Sequence, residues 1–522
     1  MPTPPPRPLA LVPRCLFLAL ALAGSGCGRQ ASPAAPAPPA AVDPAAAPAP
    51  AADVDRPLDP ERAAPVDLYA ALSYLASDEL AGRRTGTAGI ERAADFLERT
   101  LLDLGVRPVP GASSLRAPVP LVDRGAVEEA TLRFGESLYR LPAQVLPLTR
   151  EDVDVTAPLI YLAEEALAAP PAEVRGAIVV TEAGSEDAGA DVREWLTLSR
   201  ERAEALRAAG AAALVEVYRS AAVPFARLAA GVNRAGMVLD EGGGPRLPQL
   251  YVKAELQWDG LRRGAVRPGE ATLRIVAPET RTLTSDNLVG VLPGTDPSLV
   301  DEYVLASAHY DHIGVTPRPG LVDSINNGAR DNGMGTVALL HLAEAFARDP
   351  GRRPLLLAAW TAEEEGLLGS RYWVEHPSVP LDRVAFNLNL DGAGYTDTST
   401  VVFNGYGFTT AQAAIDSAIA ATGLAARGDP VPQYGLYRQS DNFNLAARGV
   451  PAVNMAPGFE GFTDELMRYY HQPADEAAAV SPTYLAKYAA AAAAAARAVA
   501  NAEDLGWDPA SETVREYVEL DE

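Results

Sequence analysis

Several side chains of metal-ligating type fall at or just past the ends of apolar runs. They are His309 and Asp311 in SAHYDHIG, Asp331 in ARDNGMGTVALL, Glu363 and Glu364 in TAEEEGLLGS, Asp391 in FNLNLDGAG and His471 in RYYHQPADE. Neutral imidazole and carboxylate oxygen are ligands of Zn²⁺. A carboxylate shared between two cations is a natural way to hold them close together for hydrolysis. His309 needs its second ring nitrogen pinned. Asp311, two residues further along an extended chain, can face the same way and do so. Singly, each residue has a plainer reading. The acidic triplet 363–365 suits a solvated helix start, Asp331 a helix cap and Asp391 before Gly392 a turn. Jointly they favour a metal centre, because five potential ligands converge on the strand ends of one domain. His341 lies inside a helical pattern and His376 precedes Pro377, so both read as structural; His312 adjoins the candidate centre.

The elements that must position these residues are legible from residue 287 onward. Strand-like runs cover 287–292, 303–309, 354–361, 384–390, 400–403 and 452–455. Helical patterns lie at 335–348, 365–375, 411–422 and 482–502. Continuous apolar strands alternating with amphipathic helices predict an α/β fold: a three-layer, mostly parallel central sheet with helices on both faces. Ligands of such sheets sit beyond the carboxyl ends of the strands, where the candidate residues fall. Two further helices joined by the loop SDELAGRRTGT are expected between residues 66 and 104. Residues near 120–280 read as a separate small α/β insertion, with strands at 157–162, 176–181 and 211–217 and a helix between 193 and 209.

The chain has 522 residues, with 44 Lys and Arg against 68 Asp and Glu. The hydrophobic share of 48% supports large cores and excludes wholesale disorder. The acidity argues against a nucleic-acid partner, which needs clustered Lys and Arg. Both cysteines, Cys15 and Cys27, precede the folded part, so thiol chemistry and disulfides are excluded there. Arg7 and Arg14, the apolar run CLFLALALA and the small residues before Cys27 form a signal-peptide pattern too short to span a bilayer. The expectation is an exported protein, periplasmic or at the cell surface, anchored to the membrane by a lipid on Cys27. The plainer alternative is ordinary cleavage and secretion. The Ala/Pro tract that follows favours extended polyproline II and could hold a domain roughly 70 Å from the anchor.

The motifs HYDHIG, NGARDN, AEEEGLLGS, NLDG and YHQPAD, in this order and spacing, resemble the M28 metallopeptidases, the di-zinc aminopeptidases and their carboxypeptidase relatives. SDELAGRRTGT and SDNLVGVLPG are similar to the family's earlier segments. The resemblance implies two co-catalytic Zn²⁺ bridged by Asp331, with His309 and Asp391 completing one site and Glu364 and His471 the other. It implies Glu363 as the general base acting on a metal-bridging water, Tyr470 as an oxyanion donor, Asp311 as a support of His309, and a cis Asp331–Asn332 peptide. Two departures touch the pocket region: Gly333–Met334 replaces the usual Ala-Ser pair, and Ser440–Asp441–Asn442 replaces Ser-Asp-His.

EVRGAIVVTEAG and AEALRAAGAAALVEVY give the insertion a resemblance to protease-associated (PA) domains. The expected organisation is a lipoprotein-type signal at 1–26, a linker at 27–60, a first peptidase segment at 61–119, the PA-like insertion at 120–282, the main peptidase segment at 283–505 and a tail at 506–522. The implied activity is that of an exopeptidase, foremost an aminopeptidase, with a peptide or small protein as substrate. A carboxypeptidase or dipeptidase is the second reading and would need a cation such as Arg438 or Arg330 for the terminal carboxylate. A glutaminyl cyclase is disfavoured by retention of both ligand sets, and a non-catalytic peptide-binding relative by retention of Glu363.

Overall fold

The computed structural model describes residues 65–184, 192–220, 222–242, 246–264, 269–317, 320, 322–511 and 514–516. The expected signal peptide, Cys27 and the Ala/Pro linker lie outside the described residues.

The central sheet has ten strands among the described residues. Nine of them are β1 (Arg116–Arg124), β2 (Gly236–Leu239), β3 (Thr280–Leu292), β4 (Tyr303–His309), β5 (Leu355–Trp360), β6 (Val384–Leu390), β7 (Thr400–Asn404), β8 (Ala425–Gly428) and β9 (Ala452–Pro457). Their order is β8-β7-β9-β6-β4-β5-β3-β1-β2, and the short strand Arg107–Pro108 also pairs with β3. The four central strands β9, β6, β4 and β5 are parallel. The flanks are largely antiparallel: β7 against β9 on one side, and β5, β3, β1 and β2 in series on the other. The sheet is therefore mixed: its four central strands are parallel, as is the edge pair β7–β8, and the other neighbours are antiparallel. β1 contains Pro118 and Pro120, which cannot donate to a ladder. They are tolerated because β2 pairs only with residues 121–124, leaving that stretch of β1 with one neighbour.

Side chains alternate between two cores, as a strand buried on both faces requires. Val304, Ala306 and Ala308 of β4 face a core shared with the helices α1 (Leu68–Leu75), α2 (Ala88–Asp103), α3 (Met334–Arg348) and α6 (Pro482–Asn501). Tyr303 and Leu305 face the opposite core, with Trp373 and Val374 of α4 (Leu368–Glu375). The many alanines of α6 let it lie close against α3. Another helix, α5 (Gln412–Ala420), follows β7, and two short helical turns, Asn442–Ala446 and Asp464–Met467, lie on either side of β9.

A second, eight-stranded sheet is built from residues 129–276, with its own apolar core around Leu159, Val180, Val215 and Trp258. It is stitched to the central sheet through β2, which adds to β1. The Met237 N–H of β2 also donates to Glu365 Oε2 (3.3 Å), and Arg84 approaches Glu365 Oε1 at 3.4 Å.

The loop SDELAGRRTGT locks the end of β4. Its Arg83 is 1% exposed and donates to four carbonyls: Leu75 (2.5 Å), Asn327 (2.6 Å), Tyr310 (2.8 Å) and Gly328 (2.9 Å). Burial lowers its pKa to about 10, which still leaves it charged at neutral pH. Neighbouring Gly82 has φ +69°, and a Cβ there would lie 2.3 Å from the Asn326 carbonyl, so glycine is required. Hydrogen bonds from a charged donor contribute roughly 1.5–3 kcal/mol each. Arg83→Met is expected to lower unfolding stability by at least about 3 kcal/mol in urea titration. A midpoint unchanged from the parent would contradict the clamp.

Candidate metal centre

Because β4, β5 and β6 are parallel neighbours, their carboxyl ends share one edge. His309 is the last residue of β4, Asp391 directly follows β6, and Glu363 and Glu364 follow β5 by a short turn. That turn has Ala362 at φ +55° and Leu367 at φ +60°. Asp331 lies in an irregular segment leading into α3, and the peptide that follows it, Asp331–Asn332, is cis. His471 enters from the loop after β9.

These residues fall into two groups whose potential ligand atoms lie within 4.8 Å of one another: His309, Glu363 and Asp391, and His312, Asp331, Glu364 and His471. In the first group, His309 Nε2 is 3.0 Å from Asp391 Oδ1 and 3.9 Å from Glu363 Oε2. In the second, His471 Nε2 is 3.2 Å from both Glu364 Oε2 and Asp331 Oδ2. Asp331 spans the two groups, since its other oxygen, Oδ1, is 3.5 Å from His309 Nε2. Three imidazoles and four carboxylates converging, all but His471 largely buried, suit Zn²⁺, whose ligands are nitrogen and carboxylate oxygen. Without cations, so many like charges would repel.

Supporting contacts are dense. His309 Nδ1 is 3.3 Å from the Asp311 carbonyl oxygen and 3.7 Å from Asp311 Oδ1. The Asp311 carboxylate accepts the backbone N–H groups of Glu363 (3.0 Å) and Glu364 (3.3 Å), so it fixes the β5 turn as well as facing His309. Tyr470 lines the pocket, with its ring stacked on His471 at 4.0 Å between centroids. Burial, then the nearby carboxylates Asp331 and Glu364, push its phenol well above the ordinary range, which keeps the hydroxyl a donor. Ser440 Oγ donates to Asp391 Oδ2 (2.5 Å), and Asp441 accepts from Ser370 Oγ (2.5 Å). The departing Ser440–Asp441–Asn442 motif thus packs directly behind a candidate ligand. Met334 of the other departure is buried in the core beneath the site.

Two participants were not assigned from sequence. His312 Nδ1 is 2.7 Å from Glu364 Oε1, and its ring packs over Gly328, where a Cβ would lie 2.6 Å away. Asp475 is fully buried and accepts the backbone N–H groups of Arg330 (2.9 Å) and Asp331 (3.2 Å), holding the segment that carries Asp331. The second histidine of HYDHIG and the aspartate closing YHQPAD were the signals available. His341 and His376 stay outside the site, beside Glu344 and against the Tyr372 ring respectively.

Burial opposes charging His309, but Glu363 and Asp391 outweigh it and hold its pKa well above the ordinary value. Burial likewise opposes charging His471, while Glu364 and Asp331 raise it to about 10. For Glu364, burial pushes upward, but His471 and His312 hold it well below the usual range. Glu363 goes the other way: burial, with Asp391 and Glu364, raises it well above, against the pull of His309. The two imidazoles therefore carry protons at neutral pH before a metal arrives, and a metal needs them neutral. Zinc uptake is expected to release about one proton per imidazole, so apparent affinity rises about tenfold per pH unit for each proton displaced. Calorimetry in buffers of different ionisation enthalpy checks this; uptake without proton release would contradict it.

Residues 287–496 match the profile of Peptidase family M28. Aminopeptidase YwaD of Bacillus subtilis (strain 168) is 28% identical over 286 residues, covering 54% of this chain and 55% of that protein. Leupeptin-inactivating enzyme 1 of Streptomyces exfoliatus is 28% identical over 189 residues, 35% of this chain and 39% of that one. The matches thus span about half the length of these relatives or less. Among solved structures, an aminopeptidase from Aneurinibacillus sp. strain AM-1 aligns with a TM-score of 0.49 at 18% identity, covering 87% of this chain and 98% of that one. With both ligand groups lying within or beside the matched region, the chain carries a peptidase family M28 domain at residues 287–496.

Proposed function

We propose that the protein is an exported zinc aminopeptidase that removes N-terminal residues from peptides or small proteins. Asp331 is placed to serve two ions, with His309 and Asp391 on one side and Glu364 and His471 on the other. Zinc held by these residues would supply Lewis acidity, which lowers the pKa of a water and polarises the scissile carbonyl. Glu363 takes up the proton of the attacking water and returns it to the leaving amine. Tyr470, kept protonated, offers a hydrogen bond to the oxygen that gains charge. Asp311 and Asp475 act earlier, by fixing the backbone that carries Glu363, Glu364 and Asp331.

The observation that favours an aminopeptidase over a carboxypeptidase is the pocket lining. It contains no Lys or Arg among the described residues. Arg330, one of the two arginines considered for a terminal carboxylate, is held between the rings of Tyr395 (4.4 Å) and Tyr469 (3.7 Å) and donates to the carbonyls of Tyr395 and Ala479. Arg438, the other, is exposed and lies over the Phe443 ring. A substrate's C-terminal carboxylate would therefore find no lining cation. Export and a lipid on Cys27 are supported by Arg7, Arg14, the apolar run and the small residues before the cysteine. A PA-type role for the insertion, flanking the cleft, is supported by the link of β2 to Glu365, next to Glu364.

The decisive experiment offers zinc-loaded protein matched peptides with free and acetylated N-termini. Stepwise release from the free-amine set alone is expected. Cleavage of the acetylated set alone would overturn the reading and return it to a carboxypeptidase.

A further inference from the structure

Beside the metal centre, the pocket is walled by apolar side chains, among them Leu436, Phe459, Phe462, Leu466 and Met467. Of the polar side chains there, Ser440 and Asn454 bond to Asp391 and Gln439 donates to the Tyr434 carbonyl, whereas Asn404 differs. Asn404, the last residue of β7, is 6% exposed, and its Oδ1 is buried with no hydrogen-bond partner. A buried amide oxygen left unpaired is costly, and native structures seldom carry one without a reason.

The surroundings of Asn404 sharpen the anomaly. It sits at the end of a row of polar residues in register across four strands. Ser307 of β4 pairs with Asn389 of β6, Asn389 with Asn454 of β9, and Asn454 with Asn404 of β7. Residues in register share a face of the sheet. The first three are tied together: Ser307 Oγ donates to Asn389 Oδ1 (2.7 Å), and Asn389 Nδ2 donates to Asn454 Oδ1 (3.1 Å) and to Ser440 Oγ (2.8 Å). Asn454 Nδ2 then donates to the Asp391 carbonyl (3.0 Å), which joins the row to the candidate ligand set. Asn404 is the terminal member, and its oxygen takes no part in this chain of bonds.

Asn404 lies two strand spacings, roughly 10 Å, across the sheet from the strand that delivers Asp391. A substrate whose scissile carbonyl sits at the metals must extend a long side chain to reach it. An apolar side chain of that length would fill the pocket but leave the amide oxygen unpaired. One that ends in a donor would fill it and pair the oxygen.

We infer that Asn404 is a specificity-determining residue: it accepts a hydrogen bond from the tip of the substrate's N-terminal side chain and selects tyrosine over phenylalanine. The inference rests on the aminopeptidase reading for its substrates, and Asn404 plays no part in bond cleavage. A site built to hydrogen-bond a substrate hydroxyl disfavours the analogue lacking it, because a buried group is then stranded.

The test compares kcat/KM for the p-nitroanilides of tyrosine and phenylalanine. The zinc-loaded protein is expected to prefer tyrosine by roughly 5–10-fold, the scale of one neutral hydrogen bond. Asn404→Leu, close in shape and suited to apolar walls, is expected to bring the ratio to one or below. A parent ratio of one or less, or an Asn404→Leu ratio equal to the parent's, would overturn the inference. Calorimetric binding of L-tyrosinol against L-phenylalaninol to the unaltered zinc-loaded protein asks the same question without a variant or turnover, and equal affinities would also overturn it. Tighter tyrosinol binding with neither anilide hydrolysed would sustain the selectivity and remove the aminopeptidase reading instead.

Discussion

Glu363→Gln is expected to lower kcat by about 10²–10⁴, the usual contribution of a positioned general base, while zinc content stays at the parent level. Glutamine keeps the shape and the backbone N–H that donates to Asp311 Oδ1, so the β5 turn should hold. What is lost is the ability to take and return a proton. In free-energy terms the loss is about 2.7–5.5 kcal/mol of barrier. Glu363 sits between the pull of His309 and the repulsion of Asp391 and Glu364, so the melting temperature of the variant should change little. Steady-state kinetics with zinc analysis by mass spectrometry decides the matter. A variant turning over at the parent rate would remove Glu363 from the chemistry.

On the proposed two-ion reading, Asp331→Ala should act on both ions at once. Its two oxygens face different imidazoles, Oδ1 at 3.5 Å from His309 Nε2 and Oδ2 at 3.2 Å from His471 Nε2. Loss of a shared ligand weakens both sites, whereas Asp391→Ala or His471→Ala removes a ligand from one. The expected zinc content falls from two ions per chain toward zero for Asp331→Ala and toward one for either of the others. The rate of Asp331→Ala should drop below about 10⁻³ of the parent, because Lewis-acid stabilisation is worth several kcal/mol. If all three variants lose the same amount of metal, the shared-ligand assignment is wrong.

The residues that could be read from sequence were those whose signal is local. The central strands are short apolar runs buried on both faces, and the candidate ligands lie immediately after them. β1 was harder, because Pro118 and Pro120 look like loop punctuation and become strand residues only through pairing with residues 284 and 286. The antiparallel flanks were illegible for the same reason, since nothing local marks which strand a distant segment will join. His312, Asp475 and Asn404 share this character. Asp475 meets the backbone of Arg330 from 145 positions away, and Asn389 meets Ser440 across 51. Such contacts belong to the tertiary fold, and each residue alone has an ordinary surface or turn reading.

The stitching of β2 onto β1 bears on how the gene can be cut. Excising residues 120–282 as a block would remove β2 together with parts of β1 and β3, so the central sheet would end in a truncated, unpaired edge. Raw edges of this kind template association between chains. The same cut would delete Met237, whose N–H donates to the residue next to Glu364. A minimal peptidase obtained in this way would lose solubility and metal-site order together. A soluble shortened form has to keep 116–124, 236–239 and 280–292 and join them by new turns.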